Sequence, residues 1–256
     1  MSIKNAKLNW VRLPLDRLEN CRELGGYNTK YGEQIKWHTF LRSSNMSNLT
    51  QEDMAFLKEY GVKTVIDLRE EDEIKAYQNP LAEMDFCNYH NIPFFAQQIS
   101  KSNLFKEPFL GDSYVKILEQ IDSMKRIFDT IDQASEGCVV FHCMAGKDRT
   151  GILAMLLLGI AGVEKKDIIS NYEVTYTNLE SLHAYKDLYE YESIPKAFLY
   201  SRREYILRAY EHIVHSYQSF DHYLMAKGVE RGVIDRVRRR LLGVGETVTM
   251  HGNFKG

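Results

Sequence analysis

The chain has 256 residues, 44% of them hydrophobic and 27% charged, enough to bury a full core as a single domain over residues 1–256. With 33 Lys and Arg against 35 Asp and Glu, the formal charge is −2, which removes the electrostatic basis for generic nucleic-acid binding. The N-terminus lacks the apolar core of a signal peptide and the longest apolar run, residues 151–163, is too short to span a bilayer, so a cytoplasmic protein without stable membrane insertion is expected.

Residues 21–44 carry turn signals, Gly25-Gly26 and Lys30-Tyr31-Gly32, between short apolar segments, which predicts a small antiparallel element leading to Leu41-Arg42. Thr50 followed by Asp53 opens a helix through a capping-box-like pair, and Gly61 ends it. Val62 to Leu68 reads as a buried strand and Asp85 to Ile92 as the next one. Residues 113–134 show one apolar stripe at helical spacing, through Ile117, Ile121, Met124, Phe128 and Ile131. Cys138 to Phe141 is the last central strand, and it delivers Cys143 at its C-terminal end, where open α/β sheets place ligands. The fold expected is α/β, a central and mostly parallel sheet flanked by helices.

Residues 164–242 read as mostly helical and rich in tyrosine. Tyr172, Tyr176, Tyr185, Tyr189 and Tyr191 are read as packing rather than as a platform for a ring-shaped ligand. Arg236, Arg238, Arg239 and Arg240 are read as cations near a helix C-terminus with a solvated face, in preference to a lipid-contacting patch. The four cysteines, at 21, 87, 138 and 143, show no metal-type Cys-x-x-Cys pairing, and a strand would hold Cys138 and Cys143 too far apart for a disulfide.

The most informative stretch is His142-Cys143-Met144-Ala145-Gly146-Lys147-Asp148-Arg149-Thr150-Gly151. Between a strand and a helix, such a loop can curl its backbone N–H groups around an anion, which the positive end of the helix dipole also favours. A thiol held there favours its thiolate form, the nucleophile. Arg149 can bind two phosphoryl oxygens at once, a geometry a lysine cannot make. Gly146 lets the backbone approach a ligand, Met144, Ala145 and Lys147 complete the cradle, and Thr150 brings a hydroxyl towards the sulfur. His142 is either an orienting residue for the loop or an ordinary core histidine.

His-Cys, five residues, Arg-Thr-Gly resembles the signature of the cysteine-dependent protein tyrosine phosphatases, and the Gly-Lys-Asp-Arg-Thr-Gly version is similar to a bacterial branch that acts on phosphotyrosine and, in some members, phosphoinositides. Upstream, Asn20-Cys21-Arg22-Glu23-Leu24-Gly25-Gly26-Tyr27, Leu41-Arg42-Ser43, Leu49-Thr50 and Val65-Ile66-Asp67-Leu68-Arg69 resemble that branch's blocks in the same order, although Cys21 stands where an aromatic residue is more usual. The resemblance covers about residues 13–165, with a weaker match at 229–242. It implies a phosphatase that needs no metal or other cofactor. Cys143 would be the nucleophile and Arg149 the phosphate clamp. Asp148 would be the proton donor, with Asp112 as its rival and the Asp67-Arg69 pair as support. It further implies action on a phosphoprotein or phosphoinositide, with a helical lid expected within residues 175–220; the sequence leaves the oligomeric state open, with a monomer as the expectation. Met144 stands where 3-phosphoinositide phosphatases tend to carry a lysine, which favours phosphotyrosine over phosphoinositide and phosphoserine or phosphothreonine. A pseudophosphatase that only binds phosphate, or a thiol redox or arsenate-reducing protein, are the readings from other classes. The first would lack Cys or Arg, and the second would want a resolving cysteine nearby.

Overall fold

The computed structural model describes residues 4–94, 110–179 and 200–243. Its sheet is built from β1 (Arg22–Glu23), β2 (Phe40–Ser43), β3 (Val62–Asp67), β4 (Asn88–Asn91) and β5 (Cys138–His142), in the spatial order β1-β2-β5-β3-β4. β1 runs antiparallel to β2, and every other pairing is parallel. β5 is therefore flanked by parallel neighbours on both sides, and all five of its residues are buried. Its C-terminal end and those of β2 and β3 open towards the same edge.

Strand alternation sends successive side chains to opposite faces. On one face Leu41, Val65, Cys138 and Val140 pack against Met54, Phe56, Leu57 and Tyr60 of α1 (Gln51–Tyr60). The expected capping box of Thr50 and Asp53 opens that helix, and Gly61, at φ 96°, closes it in the left-handed conformation. The short α2 (Glu71–Ala76) and a 3₁₀ turn at Pro80–Glu83 follow β3. On the other face, Phe40, Ile66, Val139 and Phe141 meet a helical layer: α3 (Leu110–Leu118), α4 (Ile121–Gln133), α5 (Asp148–Ile160), α6 (Lys165–Leu179), α7 (Arg203–Tyr217), α8 (Phe220–Ala226) and α9 (Arg231–Leu242). The helix α5 is buried without a break from Arg149 to Leu158, as an all-round apolar helix requires. No described helix is long and apolar enough to cross a membrane.

The structure refines three expectations. The helix expected over 113–134 is two helices, α3 and α4. Gln120 is extended (φ −79°, ψ 104°), and Glu119 is drawn towards the C-terminal layer by Lys227, at 2.5 Å, and His212, so Ile121 leaves the stripe and is half exposed. The strand expected over Asp85–Ile92 is paired only at Asn88–Asn91, an edge strand beyond a turn. The helix after the loop begins at Asp148, inside the motif, rather than after Gly151.

The C-terminal arginines are largely engaged within the fold. Arg236 pairs with Asp132, Arg238 with Asp221 and Asp235, and Arg240 donates to the carbonyls of Ala134, Ser135 and Gly137 beyond the end of α4. Of the segment expected as a lid, residues 180–199 lie outside the described residues, with Tyr185, Tyr189 and Tyr191 among them. The helix α7 buries Tyr205, Ile206, Ala209 and Ile213 in the core against α3.

Candidate active site

β5 ends at His142, and Cys143 stands just beyond it, almost wholly buried. The carbonyls of the following loop are tied from outside. The Asn45 N–H donates to Met144 O at 2.8 Å, and Asn20 Nδ2 donates to Ala145 O at 3.0 Å and Gly146 O at 3.1 Å. Arg42 Nη2 adds a 2.8 Å bond to Gly146 O. In a trans peptide, C=O and N–H point in opposite directions. Drawing three successive carbonyls outward therefore turns the N–H groups of Ala145, Gly146 and Lys147 inward. The first turn of α5 adds N–H groups at the same end, and together they form a concavity of donors of the kind that suits an anion. Gly146, at φ 66°, has no room for a side chain, because a Cβ there would lie 2.4 Å from Ser43 O.

Arg149 lies in the first turn of α5, where Glu73 of α2 holds its fork with two bonds of 2.7 and 2.9 Å, and Leu68 O accepts a third. Burial opposes the Arg149 charge, but Glu73 and the neighbouring thiol outweigh it, and the pKa is raised above its ordinary value. Thr150 is buried, and its Oγ1 has no hydrogen-bond partner among the described residues. Asp148 is partly exposed; Tyr114 donates its hydroxyl to Asp148 Oδ1 at 2.5 Å, and Lys147 Nζ lies 3.4 Å from the same oxygen. The rival Asp112 pairs instead with Arg208 at the surface, at 2.9 Å.

His142 is a loop-orienting residue. Asn79 Oδ1 accepts the Leu81 N–H, which leaves Asn79 Nδ2 to donate to His142 Nε2 at 3.0 Å. The ring proton thus belongs on Nδ1, 3.2 Å from the Cys143 carbonyl it donates to. Burial lowers the His142 pKa, which favours this neutral tautomer. Behind it, Asp67 binds Arg69 through three contacts of 2.6 to 3.2 Å and accepts from Tyr89 at 2.7 Å. Burial pushes the Asp67 carboxyl up, but the charge His142 carries when protonated, and then Arg69, bring it down to about 2.

On the other face of the sheet, Arg42 and Arg22 are buried guanidiniums with no carboxylate partner among the described residues. Arg42 donates to Asn171 Oδ1 at 2.6 Å; Arg22 donates to Asn171 O and Thr175 Oγ1. Burial pushes Arg42 down to about 10, with Cys143 the largest influence in the opposite direction, and burial together with Arg42 lowers Arg22. The four cysteines are free. Burial pushes the Cys21 thiol up to about 12, the Cys87 thiol up to about 11 and the Cys138 thiol well above its ordinary value.

Residues 143–150 adjoin one another by sequence, and the fold adds partners that the motif does not name. Asn20 and Arg42 lie in upstream blocks noted for their resemblance, without a stated role. Glu73 was missed, and its one signal is the Glu70-x-x-Glu73 capping pattern. Asn45, Asn171 and Tyr114 carry no sequence signal, and Tyr172 reads only as packing.

The model of the tyrosine phosphatase family matches residues 13–243. A tyrosine-protein phosphatase of Nostoc commune is 38% identical over 145 residues, which are 55% of this chain and 49% of that protein. The match thus spans about half the length of the Nostoc relative. The triple specificity protein phosphatase PtpB of Mycobacterium tuberculosis is 23% identical over 249 residues, covering 79% of this chain and 90% of its own. Among solved structures, a cysteine-to-serine variant of P. aeruginosa TpbA in complex with phosphotyrosine is 17% identical and superposes at a TM-score of 0.35, covering 60% of this chain and 80% of that one.

Proposed function

We propose that this chain, which belongs to the tyrosine phosphatase family, hydrolyses phosphotyrosine monoesters as a single catalytic domain, through a phosphocysteine intermediate. What carries the reading is the tethering of the Met144, Ala145 and Gly146 carbonyls from outside, which builds an inward ring of N–H donors around a thiol. Cys143 Sγ attacks phosphorus in line as the bond to the leaving oxygen breaks, and that oxygen takes a proton from Asp148. Arg149 and the loop N–H groups hold the equatorial oxygens, and Glu73 keeps the guanidinium aimed. Water then attacks the phosphocysteine, gives a proton to the Asp148 carboxylate and releases phosphate, with the electron pair returning to sulfur. The Thr150 hydroxyl steadies the departing thiolate, and His142 fixes the backbone at Cys143 through the carbonyl.

Phosphate release should be followed from a phosphotyrosine peptide and a phosphatidylinositol monophosphate, side by side, with wild type and Cys143→Ser in EDTA. Turnover by wild type alone, faster on the peptide, is the expected result. Faster turnover of the lipid would move the substrate class to phosphoinositides. If neither protein turns over either substrate while phosphate still binds, the loop is a recognition module and the enzymatic reading fails.

A further inference from the structure

Tyr114 and Tyr172 are large side chains with almost no solvent exposure, and they meet beside Asp148. The Tyr114 hydroxyl lies 2.5 Å from Asp148 Oδ1 and 2.5 Å from the Tyr172 hydroxyl, with the two rings edge to face at 6.0 Å. Each phenol has one proton. A carboxylate oxygen can only accept, so the Tyr114 proton goes to Asp148 and its oxygen accepts the proton of Tyr172. The donors form a chain, Tyr172 to Tyr114 to Asp148. Burial, with Asp148 next in effect, raises both phenols well above their ordinary pKa, so neither ionises in place of the acid.

Without this contact, only the Lys147 ammonium, 3.4 Å from the same oxygen, would oppose a change of rotamer by a partly exposed aspartate in a helix's first turn. With Oδ1 pinned from the core, Oδ2 becomes the proton-bearing atom. The bond from Tyr114 also strengthens as that proton leaves, because a charged acceptor is bound about twice as strongly as a neutral one. Its contribution is thus greater in the transition state than before it.

We infer that Tyr114, backed by Tyr172, is a positioning residue that orients Asp148 and stabilises the carboxylate formed as the leaving oxygen is protonated. The inference rests on the reading of Asp148 as the acid. It also means that the acid is set in place by the core before substrate arrives.

Tyr114→Phe removes only the hydroxyl. It should be compared with wild type and Asp148→Asn on phenyl phosphate, whose leaving group needs a proton, and on p-nitrophenyl phosphate, whose leaving group needs little help. The expected result is a loss of about tenfold or more in kcat on phenyl phosphate and about threefold or less on p-nitrophenyl phosphate for Tyr114→Phe, with the same selectivity, larger, for Asp148→Asn. Equal slowing of both substrates by Tyr114→Phe, with Asp148→Asn still selective, would overturn the inference and leave the acid reading standing. If Asp148→Asn is itself unselective, the acid reading falls and takes the inference with it. Should Tyr114→Phe fail to fold, Tyr172→Phe, one bond further out, is expected to show the same selectivity at smaller size, and its absence there counts against the inference.

Discussion

The two faces of the sheet beneath the loop treat buried charge in opposite ways. On the α1 face, Arg69 closes on Asp67, with Tyr89 and Asn45 satisfying further positions, and the network is electrically complete. On the α5 and α6 face, Arg42 and Arg22 are held by amides, carbonyls and a hydroxyl. A carboxylate does lie next to Arg22, at Glu23, but strand alternation sends it to the opposite face, where it accepts from Tyr60 and the His38 N–H. The Asp67–Arg69 network of the first face is a neutral frame that sets the shape of the loop through His142. The second face leaves two buried guanidiniums without a carboxylate partner among the described residues, beneath the loop that follows β5, at a desolvation cost.

The largest effect expected from breaking this contrast is on the frame. Arg69→Met strands a buried Asp67 and should cost about 3–5 kcal/mol of stability in denaturant unfolding. A loss below about 1 kcal/mol would mean that Tyr89 and His142 suffice for the carboxylate.

Next comes Glu23, whose carboxyl burial raises from 4.5 to about 7. A raised folded-state value stabilises below the unfolded pKa, and that stability is lost as pH rises through the folded one. Wild type should therefore lose about 3 kcal/mol between about pH 4.5 and 7.5, and Glu23→Gln should flatten this fall. Asp67 works in the other direction. Its value is depressed from 3.8 to about 2, so its contribution of about 2 kcal/mol is present above pH 4 and lost as pH falls through 2; Asp67→Asn should remove that acid limb.

The smallest free-energy change is the one that tests the contrast most directly. Arg42→Met should weaken vanadate or phosphate binding about tenfold, equivalent to about 1.4 kcal/mol, while destabilising the protein less than Arg69→Met does. If it costs stability like Arg69→Met and leaves anion affinity unchanged, Arg42 is frame as well.

The sequence exposes these two faces unequally. Local rules are enough for the α1 capping box, for the buried run of β5 and for the loop motif, because each depends on residues within a few positions of one another. The break at Glu119 was hidden because it depends on Lys227 and His212, in distant helices. Arg42 and Glu73 were equally opaque as site residues: a charged residue in a strand or a short helix reads as solvated until the tertiary fold shows it buried. Sequence alone shows no contrast between Asp148 and Asp112, because their difference lies in tertiary partners: Tyr114 holds the first at the loop and Arg208 pairs with the second at the surface.

Gly146 O accepts from Asn20 and Arg42, which lie 126 and 104 positions upstream, and Arg42 is steadied in turn by Asn171, 129 positions beyond it. The ten-residue motif consequently has no autonomy. A peptide spanning it, or the same letters transplanted to another strand-to-helix junction, lacks those donors and relaxes. In the whole chain the loop can take its shape only after long-range closures of high contact order have been made. The loop around Cys143 is thus completed late in folding, once the surrounding domain exists to hold it.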